Sequence, residues 1–183
     1  VRPFARRLVM AAETPGNFLY RFADFLGIDA YISWILSRTI QHGRSRRRLD
    51  VERHLLVNGV QEMLMDLASK YRLAVVSARD AESTSHFLKH FNLAQYFNVI
   101  VTAQSCKHTK PYPEPILLAA LQLGLLPKAC VMVGDTVMDI HAGKAAGAQT
   151  IAVLCGFGTL NELIKAEADM ILSTTSQLVD IFI

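Results

Sequence analysis

From Leu56 onward the chain alternates short runs of apolar and β-branched residues with longer amphipathic stretches, and this alternation limits the fold more than any other feature. Leu73-Ala74-Val75-Val76-Ser77, Val99-Ile100-Val101-Thr102, Cys130-Val131-Met132-Val133 and Thr150-Ile151-Ala152-Val153 have the length and texture of buried strands. Met170-Ile171-Leu172 reads as a last, shorter strand before a C-terminal helix. Between these runs, apolar residues recur at helical spacing. Val60, Met63, Leu64 and Leu67 share a face of one helix that ends near Lys70; Phe87, Leu88 and Phe91 line a second. Ile116, Ala119, Ala120 and Leu123 form a third, opened by Pro113 and Pro115 and stopped by Gly124. Strands separated by helices of this length imply βαβ units, hence an α/β fold with a doubly wound parallel sheet.

The first 55 residues have no strand signal. Phe4, Leu8 and Ala11 fit one helix face, Phe18, Phe22, Phe25 and Leu26 a second, and Ile28, Tyr31, Ile32 and Ile35 a third. The expected division is therefore a helical segment over 1–55 and an α/β core over 56–183. Arg44, Arg46, Arg47 and Arg48 form a basic run whose ordinary reading is a solvated loop and whose functional reading is attraction of an anion. Because the net charge of +3 owes much to this run, the total does not argue for nucleic acid. No apolar run approaches the roughly 18 residues of a membrane span, and the N-terminus lacks the apolar core of a signal peptide. Cys106, Cys130 and Cys155 are odd in number and far apart, as reduced thiols in a cytoplasmic protein are. The oligomeric state is not legible.

Three strand ends carry polar residues able to meet in one crevice. Asp135 follows the Val131 strand, where open α/β sheets bind ligands, and Asp139 lies about one turn into the next helix on the same side. Two carboxylates there suit a hard divalent cation such as Mg²⁺; the plainer alternative is a helix cap and a charge that suits the helix dipole. Ser77 ends the first strand, where its hydroxyl and the N–H groups that follow it, from Ala78 on, suit a phosphate oxygen or serve as a turn cap. Lys110, in the Lys110-Pro111-Tyr112-Pro113 turn, is either a fixed positive charge or an ordinary solvated lysine.

Together these stretches resemble the haloacid dehalogenase-like hydrolases, in their phosphoglycolate-phosphatase-like branch. The strand ending in Ser77, the Lys-Pro-x-Pro element at Lys110, and Gly134-Asp135 followed by Asp139 match three of that family's motifs in order. The continuation Ala142-Gly143-Lys144-Ala145-Ala146-Gly147 matches as well. The resemblance implies a Mg²⁺-dependent phosphomonoester hydrolase acting on a small phosphorylated substrate through an aspartyl-phosphate. Ser77 would hydrogen-bond the phosphoryl group with Ala78 beside it, and Lys110 would neutralise phosphate charge. Asp135 would ligate Mg²⁺, with Asp139 a further ligand or a partner through water. It also makes residues 1–55 a cap that sets specificity.

The family's first motif, an Asp-x-Asp strand that supplies nucleophile and general acid/base, has no match here. That strand is central in the family, between those ending at Ser77 and Asp135, so the nucleophile is expected ahead of Val1. A catalytically inactive module that binds a phosphorylated ligand or a protein is the alternative. Gly156-Phe157-Gly158 weakly suggests a dinucleotide site, but Asn161 stands where a third glycine belongs; the plainer reading is a loop with positive φ. Dehalogenation is possible on fold alone, though Lys110, Asp135 and Asp139 suit phosphate and metal better.

Overall fold

The computed structural model describes residues 56–183. The chain divides into two units, Val1–His54 and Leu55–Ile183. The helices expected over 1–55, the basic run and the cap role lie outside the described residues.

Five strands and six α-helices follow one another in the described part. They are α1 (Val60–Lys70), β1 (Ala74–Val76), α2 (Ala81–His90), β2 (Val99–Val101), α3 (Glu114–Leu123), β3 (Val131–Gly134), α4 (Val137–Ala146), β4 (Gln149–Val153), α5 (Leu160–Lys165), β5 (Met170–Leu172) and α6 (Val179–Phe182). Helix boundaries have local causes. Asp80 caps α2 by accepting from Ser83 N–H at 2.9 Å, and Gly124 closes α3 in the left-handed conformation, which a residue without Cβ adopts freely. Met63, Leu64 and Leu67 are the buried residues of α1, as their spacing predicts.

Among the described residues all strand pairs are parallel, and the strands form two sheets: β1 pairs with β2, and β3, β4 and β5 form a second sheet in that order. The alternation of a parallel ladder determines which backbone groups face which neighbour. Ser77 N–H donates to Val101 O and Gln149 N–H to Cys130 O, so Val75 faces β2 and Met132 faces β4. Ala74 and Val76 therefore turn their N–H and C=O groups to the open edge of β1, and Val131 and Val133 turn theirs to the open edge of β3. Among the described residues only Val76 O has a partner there, and that partner is Lys110. Partly buried strand edges without ladder partners are costly, so the fold carries two edges suited to one more strand.

The core runs beneath both sheets. Met63, Leu64, Leu67, Leu88, Leu93, Ile151 and Leu178 form one buried cluster, with Val75, Val131 and Val133 packed against it. On the other face α3 packs Ala119 and Leu123 against Val99 and Val101, while Ile140, Ala152 and Leu163 are fully enclosed between α4, β4 and α5. Burying each large aliphatic side chain of this kind stabilises by about 1.5–3 kcal/mol.

Candidate active site

Lys110 follows β2 at the tip of the loop that leads into α3, ahead of a cis peptide bond to Pro111. Its Nζ donates to Val76 O at 3.0 Å and to Asp139 Oδ1 at 2.6 Å. With 12% of the lysine side chain exposed and 6% of the aspartate's, the pair is shielded from water. A lysine so placed is an oriented charge rather than a solvated one, and it links the open edge of β1 to the turn after β3.

Asp139 is the third residue of α4 and forms a capping box with Thr136. Its Oδ2 accepts from Asp135 N–H (3.1 Å), Thr136 N–H (3.0 Å) and Thr136 Oγ1 (2.8 Å). Cap and Lys110 partner are thus one carboxylate, with both oxygens engaged. The helix-cap reading of Asp135 is corrected: the N-cap of α4 is Thr136, one residue on, and Asp139 completes the box from inside the first turn.

Asp135 is held differently. Its Oδ2 accepts from Phe157 N–H at 2.7 Å and its carbonyl from Gly158 N–H at 2.8 Å. Oδ1 has no hydrogen-bond partner among the described residues. The loop after β4 can come this close because a Cβ on Gly156 would collide with the Asp135 carboxylate, and one on Gly158 with the Asp135 carbonyl. The positive-φ reading of these glycines is corrected: among the described residues the left-handed glycines are Gly59, Gly124 and Gly147. Close approach, not turn conformation, is what excludes a side chain at 156 and 158.

Ser77 sits one residue beyond Val76. Its own N–H is consumed by Val101 O, and its Oγ accepts from Arg79 N–H at 3.1 Å, which leaves the hydroxyl hydrogen as a donor. Ala78 is exposed. Lys110, Asp139 and Asp135 are therefore joined directly, and Ser77 adjoins them through the carbonyl that Lys110 grips.

Three contributions escaped the sequence reading: the Thr136 hydroxyl, the Phe157 N–H, and a His108–Glu114 contact in the lysine loop. The Thr136-x-x-Asp139 spacing was a legible capping signal; the other two join residues that only folding brings together. Burial and then the Glu114 charge push the Cys106 thiol up from its ordinary value, and burial does the same for Cys130. Neither has the depressed pKa of a thiolate nucleophile.

A lysine aimed at a carboxylate-bearing strand end, beside a serine, is an arrangement for anionic groups. The family model for haloacid dehalogenase-like hydrolases matches residues 22–153. The chain belongs to that family. As a haloacid dehalogenase-like hydrolase it is 32% identical over 111 residues to a phosphoglycolate phosphatase of Salmonella choleraesuis, covering 61% of this chain and 44% of that protein. It is 35% identical over 111 residues to the pyrophosphatase PpaX of Bacillus velezensis, covering 61% of this chain and 51% of that one. The chain thus spans about half the length of these relatives. Among solved structures, a predicted phosphoglycolate phosphatase from Haemophilus somnus has the same fold, with a TM-score of 0.65 and 28% identity, over 69% of this chain and 57% of that one.

Among the described residues, no helix is long and apolar enough to cross a membrane, and no group of three His, Cys, Asp or Glu is placed to hold a metal ion. Asp135 Oδ1 nevertheless offers the hard oxygen that Mg²⁺ prefers, and Mg²⁺ typically takes one or two protein carboxylates plus water and substrate phosphate. The residues fit the ion as part of its ligand set.

Proposed function

We propose that this chain is the core of a Mg²⁺-dependent phosphomonoester hydrolase acting on a small phosphorylated metabolite. The observation that carries this reading is Lys110, whose Nζ is held 2.6 Å from Asp139 Oδ1 beside the strand ends bearing Ser77 and Asp135. Phosphoryl transfer depends mostly on positioning and on neutralising the charge of the phosphoryl oxygens. In this reading Lys110 supplies the neutralising charge, and the Ser77 hydroxyl donates to a phosphoryl oxygen. Asp135 Oδ1 would hold the Mg²⁺, which when bound neutralises phosphate charge. Of the two roles the resemblance allows Asp139, the saturation of its oxygens favours holding the Asp135 turn and Lys110 over ligating the metal.

The nucleophile is a carboxylate on a strand seated between β1 and β3, ahead of the described residues in chain order. Its oxygen attacks phosphorus as the ester oxygen leaves, and water then hydrolyses the aspartyl-phosphate. Support comes from the two open strand edges and from relatives named as phosphatases. The segment 1–55 as a specificity cap, and a reducing compartment such as the cytoplasm for the three free cysteines, belong to the same proposal.

The decisive assay uses a chain extended ahead of Val1. Phosphate release from phosphoglycolate, pyrophosphate and simple sugar phosphates is measured with Mg²⁺, with and without Asp135→Asn. Turnover that Asp135→Asn abolishes supports the reading; an extended chain that hydrolyses none of them, or full activity in the variant, sinks it. Tight binding of phosphate or vanadate without turnover would favour the inactive phospho-ligand module, a reading kept by the lack of a nucleophile carboxylate beside Asp135 among the described residues.

A further inference from the structure

Lys110 reaches the strand end from a loop, and loops place side chains poorly unless something ties them down. In this loop the tie is a pair of residues that brackets the lysine. His108 Nδ1 donates to Glu114 Oε1 at 2.5 Å, joining a residue two positions before Lys110 to one four positions after it. The His108 ring also stacks on Tyr112, with centroids 4.7 Å apart and planes 30° from parallel. Tyr112 N–H in turn donates to Thr109 O at 3.0 Å. Glu114 is the first residue of α3, whose buried face is packed on β1 and β2. One end of the clasp is therefore anchored in the core and the other pulls the loop closed.

The pair is partly open to water, with 23% of the histidine side chain and 39% of the glutamate's exposed, but its buried atoms matter. The remaining Glu114 oxygen, Oε2, is buried and has no hydrogen-bond partner among the described residues. Burial first, and then the charge of this carboxylate, raise the pKa of the Cys106 thiol. A carboxylate with one oxygen sealed from water depends heavily on the bond its other oxygen makes. That bond is the one to His108.

We propose that the His108–Glu114 hydrogen bond is a clasp that delivers Lys110 to the strand end, which makes both residues positioning residues for whatever anion Lys110 meets. The consequence for catalysis rests on the hydrolase reading, but the clasp itself does not. A purely helical role for Glu114, opposing the N-terminal dipole of α3, would leave Lys110 indifferent to the loss of either partner.

The test is competitive labelling of lysines by an amine-acylating reagent, read residue by residue by mass spectrometry on the full chain. Lys144, an exposed lysine bonded to Glu167, is the internal standard. His108→Ala is expected to raise labelling of Lys110 relative to Lys144 about tenfold, the worth of one hydrogen bond involving a charged group. His108→Asn, whose amide nitrogen takes the place of Nδ1, restores the slow rate. Glu114→Ala reproduces His108→Ala and serves as the second variant should the first fail to fold. Unchanged Lys110 labelling in the alanine variants, labelling in His108→Asn as fast as in His108→Ala, or an equal rise at Lys144 overturns the clasp. No turnover is needed, so failure of the clasp and failure of the hydrolase reading are separable. Where the extended chain turns over, kcat falls in His108→Ala and recovers in His108→Asn.

Discussion

Lys110 and Asp139, 29 positions apart, meet through a 2.6 Å bond between Nζ and Oδ1, while Oδ2 of the same aspartate secures the N–H groups of Asp135 and Thr136. One carboxylate thus joins the lysine loop to the turn that carries the candidate metal ligand. Removing either partner strands a charge that is largely shielded from water. Asp139→Ala is expected to cost about 3–5 kcal/mol in urea unfolding, as is Lys110→Met. The double variant should cost less than the sum, because the second change removes a charge already stranded. Additive losses would show that the pair is not coupled.

Gly156 and Gly147 offer a matched comparison. A methyl at Gly156 runs into the Asp135 carboxylate, whereas one at Gly147 meets nothing within 4 Å but sits at φ +79°. Gly156→Ala should cost about 1–3 kcal/mol from overpacking and should weaken Mg²⁺ binding, followed by titration calorimetry, by turning Asp135. Gly147→Ala should cost about 1–2 kcal/mol from its backbone alone and leave Mg²⁺ binding as it was.

Hydrogen exchange should read the open strand edges directly. The amides of Val76 and Val133 face no strand among the described residues, while Ile151 pairs in the middle of its sheet. Val76 and Val133 are expected to exchange at least about a hundredfold faster than Ile151 in this chain, as groups outside a ladder do. In a chain extended ahead of Val1 they should slow to rates like that of Ile151. No slowing would mean that no strand enters between β1 and β3.

Acid should loosen the β4–β5 end. Asp169 Oδ2 accepts from Thr150 Oγ1 at 2.7 Å and from Thr150 N–H at 2.8 Å. The side-chain bond first, then the backbone bond and the Lys144 charge, hold its carboxyl below the ordinary value of 3.8. A depressed native pKa means that the unfolded chain takes up this proton first. The contribution is complete above about pH 4 and is lost as pH falls through the native pKa. Melting curves from about pH 6 down to about pH 3 should show a shallower acid loss for Asp169→Asn than for the parent, within a modest effect because the group is exposed. Parallel curves would remove Asp169 from the acid response.

Much of this architecture was readable in the chain. The strands appear within a residue or so of the expected runs, and Gly124 ends its helix as composition suggests. These features are local: a 2- or 3.6-residue period and a glycine stop need only neighbouring residues. Asp135 and Asp139 were found because they stand four positions apart across a strand end and one helical turn.

The sequence alone determined the parallel α/β class, the order of elements and the identity of the charged residues at the strand ends, because each follows from short-range periodicity and spacing. Tertiary structure decided which oxygen of each carboxylate is engaged. It decided that Gly156 and Gly158 serve a close approach, that His108 meets Glu114, and that the described strands leave a gap between β1 and β3. Those are contacts between segments brought together by packing, with directions set by hydrogen-bond geometry, and no periodicity in one segment encodes where another will lie.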